Sequence, residues 1–213
     1  AGNVGLSAPV TVVVEDTGAV PGLVAAFGFD EGSGEAVHDE TGAGHDTVLD
    51  GQSWETGKYG GALAFDGNYL TIADSDLLDL TTGMTLSAWV RPTSPLPTWP
   101  TVVMKEWDYG LLYSLYAGSG DDGAPSVWYR PSMEGGEVGA SGGSRLELGL
   151  WTHLAATFDG AHLRMYVNGE PTVDVPSEAS IATTTNPLRI GGNSIWNAEW
   201  FYGLIDEVRV YNR

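Results

Sequence analysis

Apolar and polar positions alternate with a period of two through most of the chain. Met84–Arg91 is the clearest run: Met84, Leu86, Ala88 and Val90 alternate with Thr85, Ser87, Trp89 and Arg91. Successive strand side chains point to opposite faces, so this run predicts a strand with both faces largely covered. Leu23–Phe29, Thr101–Lys105, Leu112–Ala117, Ser126–Arg130, Leu188–Ile190 and Leu204–Tyr211 are short, apolar and rich in β-branched or aromatic residues. Ala62–Phe65 and Tyr69–Ala73 flank Asp66-Gly67-Asn68, and Trp151–Phe158 and His162–Val167 flank Asp159-Gly160-Ala161. Asn168-Gly169 leads into Glu170–Val175. Asp66-Gly67-Asn68 is a strong turn signal, Asp159-Gly160-Ala161 a hairpin signal and Asn168-Gly169 another two-residue turn, because Gly and Asn accept the positive φ that tight turns need. No segment sustains a period of 3.6; Ser75–Leu80 predicts one helical turn at most. About a dozen short strands with glycine-rich turns predict an all-β fold, a two-sheet antiparallel sandwich of jelly-roll or meander topology.

Composition sharpens this picture. The 213 residues include 30 Gly, 11 Pro, 8 Trp and 9 Tyr, with 42% hydrophobic residues, which excludes a disordered chain. Asp and Glu number 28 against 9 Lys and Arg, a formal net charge of −19. Such a surface repels phosphate backbones and anionic lipid, so nucleic acid and membrane partners are not expected. It suits a secreted or cell-surface protein, or one that gathers divalent cations. There are no cysteines, which removes disulfides, zinc-thiolate sites and thiol catalysis. No apolar run approaches the ~18 residues that span a bilayer. The chain begins at Ala1 without a basic-then-apolar leader, and reads as a piece of a larger protein, with other domains of the parent chain as neighbours.

Residues 1–21 stand apart. Val10–Val14 is a β-branched strand without an obvious partner, and Glu15–Pro21 reads as a linker. The AGN…V-x-V pattern resembles the closing strand of an immunoglobulin-like or fibronectin-III-like domain, which makes 1–21 the tail of a preceding domain; an ordinary first strand is the alternative. From residue 22 the motifs become specific. LVAAFGFDEGSG (23–34), GKYGGALAFDG (57–67), LDLTTGMTLSAWVRP (78–92), WTHLAATFDGAHLRMYVNG (151–169) and PLRIGGNSIWNAEWFYGLIDEVRVYNR (187–213) resemble, in order, the bacterial laminin-G-like (concanavalin A-like) jelly-roll domains. The resemblance covers nearly all of 22–213. It implies two stacked antiparallel sheets with Leu23–Phe29 beside Leu204–Tyr211.

The resemblance also implies a structural calcium, with Asp206 in the IDEVRVY segment supplying a carboxylate. Calcium takes six to eight oxygens from carboxylates and carbonyls. Asp30 offers a second carboxylate, the turn after it can aim the carbonyls of Gly32 or Ser33 inward, and Asp66 is a third candidate. All three aspartates could instead serve as turn formers, since Asp bonds its own backbone. Glu31 and Glu207 are expected to face solvent or to pair with Arg209. The stretch 38–46 (HDETGAGHD) reads as a polar loop; Asp39 could ligate, but no histidine triad for zinc appears.

No catalytic constellation is visible. Glycosidases of the laminarinase type carry an E-x-D-x-x-E strand that aims two carboxylates into a cleft, and that pattern is absent; Asp206 and Glu207 are adjacent and face opposite ways. G-x-S-x-G and P-loop motifs are absent too. Carbohydrate-binding modules use aromatic rings, on which sugar C–H faces stack. Trp99, Trp107, Tyr109 and Trp200 have no evident packing duty and are the candidate ligand residues. Trp128, Tyr129 and Arg130 form a smaller set, while Trp89, Trp151, Trp196 and Phe201 sit where the resembling domains commonly carry aromatics and are assigned to structure. The expectation is a calcium-stabilised, non-catalytic module binding polysaccharide or a cell-surface protein. A spacer or adhesion domain without small ligand, and a divergent glycosidase or polysaccharide lyase, are the alternatives.

Overall fold

The computed structural model describes residues 20–120 and 122–213. The expectations for Val10–Val14 and for a preceding domain's tail fall on residues 1–19, outside the described residues. In chain order the strands are β1 (Leu23–Phe27), β2 (Ala36–Val37), β3 (Thr47–Val48), β4 (Ser53–Thr56), β5 (Gly61–Asp66), β6 (Leu70–Ile72), β7 (Met84–Pro92) and β8 (Thr101–Trp107). They continue as β9 (Gly110–Tyr116), β10 (Ser126–Tyr129), β11 (Val138–Ser141), β12 (Thr152–Phe158), β13 (His162–Val167), β14 (Glu170–Pro176), β15 (Leu188–Ile190) and β16 (Tyr202–Tyr211). Ser75 caps the one expected helical turn, a 3₁₀ segment at Asp76–Leu78, by accepting a hydrogen bond from Leu77 N.

Two antiparallel sheets form the sandwich. One runs β14-β13-β12-β7-β16-β5-β4, with β1 also on β16; the other runs β11-β10-β9-β8-β15-β6. The pleat of β7 buries Met84, Leu86, Ala88 and Val90 while the intervening residues are partly exposed. The two sheets meet ring to ring: Tyr129 of β10 lies 4.7 Å from Phe158 of β12. Tyr113 is wholly buried and donates its hydroxyl proton to the Leu78 carbonyl at 2.8 Å. Burial removes each such side chain from water, a gain of about 1.5–3 kcal/mol apiece, and the core joins inward residues of both sheets.

β1 and β16 pair antiparallel, Ala25 opposite Val210 and Phe27 opposite Val208. On its other side β16 keeps β7 along most of its length, but its partner changes midway: Tyr202–Ile205 face β5, and Val208–Tyr211 face β1. A bulge marks the change, with Glu207 at φ 54°.

The loop 38–46 departs from its reading as a polar loop, because Asp39 and His45 are buried. Asp39 accepts hydrogen bonds from Ala26 N at 3.1 Å and Thr41 Oγ1 at 2.7 Å, and its carboxylate lies 3.0 Å from His45 Nδ1. These bonds lower its pKa despite burial. With Glu40 N donating to the Ala26 carbonyl at 2.9 Å, the loop covers the free edge of β1.

Candidate functional site

Asp206 sits at the seam where β5 gives way to β1 along β16. Main-chain N–H groups there lack a strand partner, and buried ones must be satisfied. Asp206 Oδ2 accepts from Lys58 N at 2.8 Å and Tyr59 N at 3.0 Å. Asp30 Oδ1 accepts from Gly61 N at 2.6 Å, aimed there by Phe29 at φ 58°. The segment GKYGG (57–61) is thus gripped by both carboxylates. It fits only because it is glycine-rich: a Cβ on Gly60 would stand 2.0 Å from Asp30 Oδ1, and one on Gly61 would stand 2.2 Å from the Phe29 carbonyl oxygen.

Asp206 is wholly buried and its Oδ1 has no hydrogen-bond partner. Burial pushes its carboxyl up to about 6, against the pull of the two N–H groups. An orphaned, buried carboxylate oxygen is a donor suited to a hard cation, and the Asp30 carboxylate holds the same segment 57–61. Among the described residues no three acidic or histidine side chains converge as a metal cage, so a cation would take these two carboxylates and main-chain carbonyls. Gly32 and Ser33 lie on the exposed turn that follows Asp30. Asp66 is not brought to this place. It is exposed at the far end of β5, opposite Tyr202, while Gly61 of the same strand meets Asp30. Glu207 pairs with Arg209 at 2.5 Å, and Arg209 also reaches Glu40 at 3.1 Å.

A second site lies on the outer face of the six-stranded sheet. Trp99 stands at its centre, edge-on to Tyr116 (5.5 Å, 68°) and to Trp128 (5.7 Å, 76°). Trp196 and Leu111 close a cavity of about 210 Å³, and Glu137 and Glu199 are its acidic groups. The register of the sheet explains the gathering: Ser126 and Thr101 both lie opposite Tyr116, and Trp128 lies opposite Ser114. Glu199 Oε2 accepts from Tyr116 Oη at 3.1 Å and Asn193 Nδ2 at 2.9 Å. Burial raises the Glu199 carboxyl to about 7, and the nearby Glu137 charge adds to the rise. Glu137 is bound by Arg130 Nη2 at 2.8 Å.

Of the four predicted ligand aromatics, the structure places Trp99 in this cavity. Trp107 stands beside it: a Cβ on Gly110 would meet Trp107 Nε1 at 2.8 Å, Glu137 Oε1 at 3.3 Å and Trp196 at 3.5 Å. Arg130 covers the Trp107 ring at 4.7 Å, and Tyr109, 76% exposed, packs edge-on against it. Trp200 is elsewhere, stacked on Tyr69 at 5.7 Å. Trp196, assigned to structure from the sequence, lines the cavity instead, as does Trp128. Tyr116, Glu137 and Glu199 were not singled out. Alternation places Tyr116 on a strand face, but only pairing with β8 and β10 shows that its neighbours are Trp99 and Trp128.

The fold and this aromatic hollow define the class, an antiparallel jelly-roll sandwich with an aromatic-lined cavity on one sheet. The family model of the concanavalin A-like lectin/glucanases superfamily (Laminin_G_3) matches residues 64–213, and the chain belongs to that superfamily. Among solved structures it is similar to domain 4 of AbnA, a GH43 extracellular arabinanase from Geobacillus stearothermophilus, in complex with arabinotriose. The TM-score is 0.69 at 24% identity, covering 89% of this chain and 91% of that one. It is similar to the binding domain of Paraclostridial Mosquitocidal Protein 1, with a TM-score of 0.72, 14% identity and coverage of 90% and 49%. It is also similar to the Trypanosoma rangeli sialidase in complex with sialic acid, with a TM-score of 0.64, 18% identity and coverage of 90% and 31%. At these identities the likeness is one of fold. No curated protein matches the sequence.

Proposed function

We propose that this chain is a non-catalytic, extracellular binding module of a larger protein, and that it takes a glycan at the Trp99 cavity. The observation that carries this reading is the set of rings at steep mutual angles around one cavity, with carboxylates at its rim. Sugar rings stack on such faces while polar groups select hydroxyls. The likeness to an arabinotriose-bound domain over most of both chains supports it. Both acids are held, Glu137 by Arg130 and Glu199 by Tyr116 and Asn193, which suits orientation of a ligand. In calorimetric titration against a panel of plant and microbial polysaccharides, Trp99→Ala is expected to weaken the best ligand by tenfold or more, matching ~1–3 kcal/mol for a lost stacking face. Equal affinity of the variant and the parent would move the site elsewhere. Release of reducing ends from that polysaccharide would replace the binding reading with a hydrolase.

The module is further proposed to hold a structural calcium through Asp206 and Asp30, completed by main-chain carbonyls of the adjoining turns. The cation would compensate the orphaned Asp206 oxygen and tie β1, β5 and β16 at their seam. Calcium at about a hundred times its Kd is expected to raise the melting temperature by about 5–10 °C over the chelated protein. Asp206→Asn is expected to lose that response. A melting temperature indifferent to chelation removes the metal from the account.

A further inference from the structure

We propose that the Trp99 cavity selects a glycan carrying a free ammonium group, an amino sugar, with Glu199 as the residue that sets this selectivity. The proposal rests on the glycan reading of the same cavity and adds the charge of the ligand.

The groups around Glu199 are the ground for it. Tyr116 of β9 and Asn193 each hydrogen-bond its Oε2, and Asn193 also donates to Thr101 Oγ1 of β8 at 3.0 Å. The remaining oxygen, Oε1, makes no hydrogen bond among the described residues. The groups that govern its ionisation are its burial, these two partners and the Glu137 carboxylate; none is a cation. Arg130, which binds the rim acid Glu137, is committed. It binds Glu137 and the Gly135 carbonyl and lies over Trp107. One acid of the pair is therefore neutralised within the protein and the other is not.

The walls favour the same ligand. Trp99, Trp128, Tyr116 and Trp196 present π-faces and edges around a space of about 210 Å³. The negative quadrupole of an indole face attracts an ammonium within about 6 Å, more strongly when both are desolvated. An ammonium seated there meets π-faces on its sides and a charge-assisted hydrogen bond at Glu199 Oε1. N-acetylation of the sugar removes that charge and leaves the carboxylate half-buried without a counter-ion. The net charge of −19 adds long-range attraction for a cationic polymer and repels uronic acid polymers.

The test is calorimetric titration of the full chain with glucosamine oligomers, the same oligomers N-acetylated, and choline as a probe of permanent charge. At pH 7.5 the glucosamine oligomer is expected to bind at least tenfold more tightly than its acetylated counterpart, and Glu199→Gln to abolish the difference. Choline carries the pH arm, because its own charge does not titrate. Glu199 is ionised above about 7, so choline affinity should be full at pH 8.5 and fall by about tenfold by pH 5.5. That fall should be absent in Glu199→Gln. Equal or tighter binding of the acetylated oligomer, lost in Trp99→Ala, overturns the charge assignment and leaves the glycan reading standing. Choline binding with this pH profile, but no binding of either oligomer here or of any polysaccharide of the panel, overturns the glycan reading instead. No binding of any of these probes overturns the amino-sugar assignment, and overturns the glycan reading as well only if the polysaccharide panel also fails to bind.

Discussion

Lys105→Met is expected to destabilise the fold by about 2–3 kcal/mol at neutral pH, because it leaves Asp74 and the half-buried Asp79 without their cation. Lys105 lies on β8 and is wholly buried; its ammonium is paired with Asp74. Asp79, just beyond the 3₁₀ turn, depends on the same charge. Its Oδ1 is buried without a hydrogen-bond partner, burial raises its pKa, and Lys105 pulls it down. A carboxyl with a folded pKa above its unfolded value costs stability when ionised, so the cost is full at high pH and shrinks as pH falls. Removing Lys105 raises the Asp79 pKa further, and the loss should therefore be larger at pH 7.5 than at pH 4.5. Urea unfolding at the two values measures this. The Lys105→Met/Asp74→Asn double variant should recover part of the loss and leave the Asp79 share. A loss under about 1 kcal/mol, or one independent of pH, would mean that solvent screens this cluster.

Gly57→Ala should cost about 3 kcal/mol for a steric reason. A Cβ at this position would stand 1.9 Å from the Gly61 carbonyl oxygen and 2.8 Å from Asp206 Oδ2. Neither can yield cheaply: the first is backbone, and the second is held by Lys58 and Tyr59 N–H groups. The residue is not among the positive-φ glycines, so conformational strain is not the cause. Gly136→Ala, where a Cβ meets open space, is the control and should change stability by less than about 0.5 kcal/mol. Thermal unfolding of both variants separates the outcomes. Equal melting temperatures would show that the segment 57–61 can move aside, and that the two aspartates do not fix it.

Strand periodicity made most of the sandwich legible. The alternation at Met84–Arg91 became β7, and the Asp-Gly and Asn-Gly signals became the β12–β13 and β13–β14 hairpins. The pairing of Leu23–Phe27 with the last strand followed from the family resemblance and is present. The strands that escaped notice lacked a periodic signal. Ala36–Val37 and Thr47–Val48 are two residues each, Ser53–Thr56 is largely polar, and Val138–Ser141 contains a glycine. Loop 38–46 looked polar because charge in sequence does not tell whether a carboxylate faces water or unpaired N–H groups. Asp39 faces the latter.

The sequence by itself determined the fold class and the β12–β13 and β13–β14 hairpins, since each depends on strand periodicity or on local turn chemistry contiguous in the chain. Tertiary structure alone decided the aromatic cavity. Trp99 precedes β8, Tyr116 ends β9, Trp128 lies on β10, and Glu199 comes from the segment before β16. Their meeting is a matter of strand register, which brings residues tens of positions apart onto one face. The ionisation of Glu199 likewise follows from burial beside Tyr116 and Asn193, an environment that only the folded sheet creates.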